Sequence, residues 1–240
     1  MKKINFLPLL LIGLGILAVL SVTLIFHAYT YADSDVFNAG GDLVTAEGEI
    51  LGDWRSNELT MYLGTQRIIV GIAGGVIALG IILFIAISAK PIKSRDIIAA
   101  ALIVAATATV VGFLTVFYPC YEMMAPARLR PMRCVWTMRV LFGILGAVNV
   151  SGFLMLLYRK SKDLVKGLNL AVVLLGVAFL LTPTTLTGVC VVHRCVDGFR
   201  PFALVMGGVM LALALINILL LKKREEDEDE TINDISDSAQ

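Results

Sequence analysis

Six apolar runs divide this chain, and each approaches or exceeds the length of one helical bilayer crossing. They cover residues 4–26, 68–89, 97–118, 140–158, 168–186 and 201–221. A helix needs about 20 residues to cross roughly 30 Å of hydrocarbon, and its backbone must form its hydrogen bonds internally there. A membrane β-barrel would instead show alternating strands of about 10 residues. The sequence therefore predicts an all-α integral membrane protein with six transmembrane helices.

Composition supports this fold class. Hydrophobic residues make up 58% of the chain and charged residues only 16%, whereas soluble domains carry about 25% charged residues. The first apolar run follows Met1-Lys2-Lys3, as in a signal peptide, but it is longer than a typical signal-peptide core. We therefore expect an uncleaved first helix.

The distribution of basic residues predicts the orientation. If the N-terminus lies inside, every lysine falls in a cytoplasmic segment, and the outer loops contain arginine but no lysine. Cytoplasmic segments carry the excess of basic residues in multi-pass proteins. We therefore predict a multi-pass plasma-membrane protein with both termini in the cytoplasm.

Three regions follow from these spans. Residues 1–92 form an N-terminal hairpin whose long extracytoplasmic loop, residues 28–66, is acidic. Residues 93–224 form a four-helix region with two cysteine-containing outer loops, and residues 225–240 form an acidic tail that we expect to be disordered and cytoplasmic. The glycine pairs and single tryptophan of the 28–66 loop are compatible either with a small folded cap, such as a hairpin, or with a solvated loop.

Short segments of the chain resemble one another, which suggests three repeated helical hairpins, residues 1–92, 93–162 and 163–224. The second helix of each hairpin begins near an arginine and carries two small residues one turn apart. Such small residues let helix backbones approach closely in lipid, so we predict helix packing there. The arginines are Arg67, Arg139 and Arg200, and the small residues are Gly71 and Gly75, Gly143 and Ala147, and Gly208 and Ala212.

Other polar or helix-breaking residues inside the spans have structural interpretations. Asn149 and Asn217 are amides within apolar runs, which favours hydrogen bonds between helices. Pro183 is expected to kink or end the fifth helix, and Pro201 suits the first turn of the sixth.

All four cysteines, Cys120, Cys134, Cys190 and Cys195, lie in the two neighbouring outer loops. On the oxidising side of a membrane, thiols are commonly paired. Four cysteines allow three connectivities, of which pairing within each loop is the simplest.

Residues 97–221 resemble the prokaryotic membrane-protein family known as domain of unknown function 4418. The resemblance is carried by Pro119-Cys120, Arg133-Cys134 with Trp136-Thr137, Thr182-Pro183-Thr184, Thr187-Gly188-Val189-Cys190, and Arg194-Cys195 with Pro201-Phe202. It implies four helices and two cysteine-bearing outer loops, but no activity. Family members often have histidine after the second cysteine of each loop, where this chain has Val135 and Val196.

Three functions remain open for the outer loops. In the first, two disulfides brace the outer rim of a non-enzymatic accessory or structural subunit of a membrane complex, which needs no cofactor; the family resemblance hints that this complex is a transporter. In the second, the cysteine pairs pass electrons to a quinone, as in a thiol-disulfide oxidoreductase. In the third, the cysteines together with Met132 and His193 bind copper or zinc.

Besides the lipid bilayer, we expect a second membrane protein or another copy of this chain as partner, and no nucleic acid. The partner would be contacted through the small-residue faces or the outer rim. The guanidinium groups at the rim could also bind an anionic group. The arginines concerned are Arg67, Arg139, Arg200, Arg133 and Arg194.

Overall fold

The structure of this protein is a computed structural model. It describes the backbone of residues 6–32, 42–44, 50–53, 57–87, 93–116, 133–189 and 194–238, and the side chains of residues 7–22, 67–87, 93–116, 136–189 and 195–222. Six α-helices occur in these ranges. They are α1 (Phe6–Ala32), α2 (Asn57–Ile87), α3 (Ser94–Thr115), α4 (Arg133–Leu157), α5 (Lys162–Leu181) and α6 (Arg200–Ser238).

The helices are long and apolar enough to confirm a multi-pass membrane protein. Five spans meet this criterion, namely Arg67–Ile87, Ser94–Thr115, Trp136–Leu157, Lys162–Leu186 and Cys195–Lys222. The part of α1 whose side chains are described, Leu7–Val22, is apolar but shorter.

Several helices extend beyond the apolar runs. Helix α1 continues to Ala32 and α2 begins at Asn57, so both ends of the predicted 28–66 loop are helical. Within that loop, strands β1 (Asp42–Val44) and β2 (Ile50–Asp53) pair antiparallel with an irregularity between Leu43 and Val44. Of the two alternatives left open for this loop, the strand pair favours a folded cap.

The acidic tail also differs from expectation, because α6 continues through Ser238. Extending an existing helix avoids the cost of nucleation, and glutamate and lysine are good helix formers. The backbone of residues 225–238 is therefore helical, where we expected disorder.

Helices α3 and α4 form the centre of the bundle. About 61% of each of their spans is buried, against 28% for α2, α5 and α6. Helices α1 and α2 pack on one side of this central pair, and α5 and α6 pack on the other. The result is two four-helix arrangements that share α3 and α4. Each hairpin's two helices pack together, but the equivalence of the three hairpins remains a prediction.

Polar contacts tie neighbouring helices together inside the bundle. Thr107 donates a hydrogen bond to Asn149 Oδ1 at 3.2 Å, and Asn217 Nδ2 donates to Asn169 Oδ1 at 2.8 Å. Both predicted asparagines therefore bond between helices, as expected for amides in lipid.

The helix termini gather at two opposite ends of the bundle. At the cysteine end, α3 ends, α4 begins, α5 ends and α6 begins. At the basic end, α2 ends, α3 begins, α4 ends and α5 begins.

Candidate functional site

The family-like residues of the sequence converge at the cysteine end. Helix α5 stops at Leu181, where a π-helical turn begins (Thr182–Leu186), and a second π turn (Arg194–Phe199) leads into α6. Pro183 has no N–H to continue the α-helical ladder, which accounts for the predicted end of α5. The first turn instead closes with the Thr187 N–H donating to the Thr182 carbonyl at 3.1 Å.

A threonine network fastens this turn to α4. The hydroxyl of Thr137, fully buried in α4, donates to the Gly188 carbonyl and lies 2.6 Å from the Thr187 hydroxyl. The Thr187 hydroxyl also lies 3.0 Å from the Thr182 carbonyl. Three parts of the family-like pattern, Trp136-Thr137, Thr182-Pro183 and Thr187-Gly188, thereby form one hydrogen-bonded unit that positions the start of the second cysteine loop.

The chain leaves the threonine network at Gly188, whose backbone conformation sets its direction. Its φ is +70°, in the left-handed region, and a Cβ there would meet no atom within 4 Å among the described residues. The requirement for glycine is therefore conformational, because other L-residues pay about 1–2 kcal/mol in this region.

We predict that Gly188→Ala lowers the free energy of unfolding by about 1–2 kcal/mol, measured by denaturant or thermal unfolding in detergent. Gly188→Asn should recover part of the loss, because asparagine enters the left-handed region more readily. Equal stability of all three proteins would contradict this explanation.

An aromatic layer lies within the same end of the bundle. The Phe113 ring, on α3, has its centroid 6.3 Å from Phe142, 6.5 Å from Phe179, 4.9 Å from Phe199 and 5.4 Å from Phe202. These partners come from α4, α5, the second π turn and α6. Sequence reasoning missed this layer, since its rings come from four helices and a turn that are far apart in the chain.

The predicted arginines with described side chains lie in different environments. Arg67 donates from Nε to the Leu114 carbonyl at 2.6 Å and so satisfies the C-terminal end of α3. Arg139 is only 3% exposed and its guanidinium carbon lies 4.7 Å from the Trp136 ring centroid. Arg200 is exposed. The side chains of Arg133 and Arg194 lie outside the described residues.

Of the four cysteines, Cys195 has a described side chain, and it is fully buried in the second π turn. Cys120, Cys190 and the side chain of Cys134 lie outside the described residues. The disulfide pairing therefore remains a prediction. Met132 and His193 are also outside, and the described side chains contain no group of three or more His, Cys, Asp or Glu that could hold a metal ion.

The predicted packing glycines face away from the bundle. An added Cβ at Gly71, Gly75, Gly143 or Gly208 meets no described atom within 4 Å. Ala212 is exposed and Ala147 is half-buried. The close internal contacts involve other glycines, such as Gly80 of α2, where a Cβ would lie 2.8 Å from Ile12.

Comparison with known proteins extends these observations to a family. No curated protein and no solved structure matches the chain. Residues 102–220, about half of the chain, match the family described as Domain of unknown function (DUF4418). This match confirms the resemblance and covers most of α3, all of α4 and α5, both π turns and the apolar part of α6. Over residues 102–220, the chain is therefore similar to the family Domain of unknown function (DUF4418).

Proposed function

We propose that this protein is a non-enzymatic accessory or structural subunit that binds another transmembrane helix through the outward small-residue face of α2. The observation that carries this proposal is the open space beside Gly71 and Gly75, both of which are exposed. In lipid, helices associate by close packing at small residues. A glycine face that no described residue of the chain covers is therefore suited to a helix from another molecule.

The same helix provides an internal comparison. Gly80, also on α2, packs against Ile12 and against the Pro8 carbonyl, with a Cβ distance of 3.1 Å to that oxygen. Helix α2 thus uses one glycine to bind α1 and leaves the Gly71 and Gly75 positions open. Helices α4 and α6 have outward openings at Gly143 and Gly208, which supports the proposal of equivalent faces on the three predicted hairpins.

The described cysteine favours a structural outer rim. Reactive cysteines are usually partly exposed, whereas the Cys195 side chain is fully buried in the second π turn. A disulfide-braced rim, with no cofactor, is therefore our proposal for the cysteine loops. The partner is another membrane protein or a second copy of this chain.

The orientation is part of the proposal. The basic end includes Lys93, Lys160 and Lys162, next to the ends of α3, α4 and α5. This placement supports a cytoplasmic basic end and an extracytoplasmic cysteine end by the positive-inside rule. On this assignment both termini are cytoplasmic, in the plasma membrane.

The test is cross-linking of the full chain in its native membrane, with the cross-linked species resolved by mass. We expect the double variant Gly71→Leu/Gly75→Leu to lose the cross-linked species, because leucine side chains would hold the partner helix away. Its thermal stability as an isolated chain should equal or exceed that of the wild type, since both positions open outward and leucine has the higher helix propensity.

Gly167→Leu is the matched control, because Gly167 of α5 is also exposed and open but lies outside the predicted small-residue pairs. It should retain the cross-linked species. The proposal would be refuted if the double variant still cross-linked normally, or if Gly167→Leu removed the same species.

A further inference from the structure

Two arginines flank one buried carboxylate at the basic end. Asp96, in the first turn of α3, is 4% exposed. Arg95 Nε lies 3.7 Å from its Oδ1, and Arg159 Nη1 lies 3.9 Å from its Oδ2. Both distances exceed hydrogen-bond length. The carboxylate therefore offsets one positive charge without occupying the guanidinium donors, and the cluster keeps an excess of one positive charge.

The two guanidinium groups are held in place by other contacts. Arg95 Nη2 donates to the main-chain carbonyl of Arg159, which joins α3 to the end of α4. The Arg159 guanidinium carbon lies 5.5 Å from the centroid of the Phe84 ring on α2. Three helices thus fix the cluster, so little ordering is needed when a ligand binds.

The cluster still has a guanidinium N–H group that can donate a hydrogen bond to a ligand. The Nε of Arg95 is buried and has no hydrogen-bond partner in the described part of the chain. The Arg159 side chain is 29% exposed, so an anion can reach it from outside. Guanidinium groups bind phosphate oxygens in two-point contacts, which makes a phosphate group the best chemical match.

The depth of the cluster indicates where that phosphate comes from. Ile97 and Leu157 lie within two residues of Arg95 and Arg159 along the chain and are exposed, as is Tyr158. Exposed apolar and tyrosine side chains next to charged ones are typical of the boundary between hydrocarbon and headgroups. A ligand bound at this depth contacts both the charged arginines and the exposed apolar side chains.

We propose that Arg95 and Arg159 form a binding site for the phosphate of an anionic phospholipid. Basic pockets between transmembrane helices bind such headgroups. Asp96 acts in this site as a competing internal anion that limits affinity, while the contacts to the Arg159 carbonyl and to Phe84 hold the two arginines in position. The proposal does not depend on the partner-binding face of α2.

The test uses the full chain in a neutral detergent, titrated with phosphatidylglycerol or phosphatidylcholine and followed by native mass spectrometry. We expect the wild type to bind phosphatidylglycerol preferentially. Arg159→Gln should weaken that binding roughly tenfold, the loss expected for a charge-assisted contact. Asp96→Asn should strengthen it, because it removes the competing negative charge.

Lys160→Gln is the matched control, since Lys160 is exposed and adjacent to Arg159 in the chain. It should change the affinity by no more than about twofold, as expected for an exposed charge. Equal losses in Lys160→Gln and Arg159→Gln would overturn the proposal in favour of general surface attraction. Equal binding of the two lipids by the wild type would also overturn it.

Inorganic phosphate distinguishes the lipid from a soluble ligand. At millimolar concentration it should compete weakly with phosphatidylglycerol, because it has no acyl chains to contact Ile97 and Leu157. Full displacement would assign the site to a soluble phosphate instead. If Arg159→Gln does not fold, the Asp96→Asn protein decides the question by the direction of its change in affinity.

Discussion

Replacing Gly80 with leucine is expected to lower the free energy of unfolding by about 3 kcal/mol or more, the upper part of the range for overpacked interiors. A Cβ at Gly80 would lie 2.8 Å from Ile12 Cγ1, 3.1 Å from the Ile12 main-chain nitrogen and 3.1 Å from the Pro8 carbonyl oxygen. Two of these three atoms belong to the backbone of α1, so a side-chain rotation cannot relieve the contact. The substitution must push α1 away from α2.

The matched variant is Gly75→Leu on the same helix. Gly75 opens away from the described atoms, so stability should be unchanged or raised by up to about 1 kcal/mol, because leucine has the higher helix propensity. Both variants would be compared by unfolding in the same detergent. Comparable destabilisation of the two proteins would show that the packing of α1 on α2 is assigned incorrectly.

Replacing Thr137 with valine is expected to cost about 1–3 kcal/mol, the loss typical of leaving a buried partner unsatisfied. Valine keeps nearly the same shape but removes the hydroxyl that contacts Thr187 and donates to the Gly188 carbonyl. The first π turn would then lose its connection to α4. We also expect faster proteolysis of the second cysteine loop, whose start this network positions.

Thr185→Val provides the control for this change. The Thr185 side chain is in the same π turn but exposed, and its hydroxyl bonds to the Leu181 carbonyl of its own segment at 3.2 Å. Its loss should change stability by less than about 0.5 kcal/mol. If Thr137→Val were equally mild in unfolding and proteolysis, the threonine network would have no role in holding the turn.

Much of the fold could be predicted from the sequence. The apolar runs located the spans, and Pro183 marked the end of α5 because a residue without N–H interrupts the helical ladder. Asn149 and Asn217 were predicted to bond between helices, since an amide in lipid needs a protein partner. Their partners, Thr107 and Asn169, were not predicted.

The candidate sites were less predictable. The small residues at Gly71 and Gly75 were recognised, but the sequence did not show whether they pack inside the chain or open outward. Asp96 was not recognised as the centre of a cluster, because its two arginines come from α3 and from the end of α4. The contact between Thr137 and Thr187 likewise joins residues that are distant in the chain.

The sequence by itself determined the class of protein and the approximate spans, because a backbone in lipid must bond internally and therefore needs long uninterrupted apolar helices. Only the tertiary structure decided which face of each helix points inward. Membrane helices are apolar on all sides, so they lack the polar stripe that reveals orientation in soluble helices. Rotation and neighbours were set instead by the fit of Gly80 against Ile12, by the aromatic layer around Phe113 and by the threonine network.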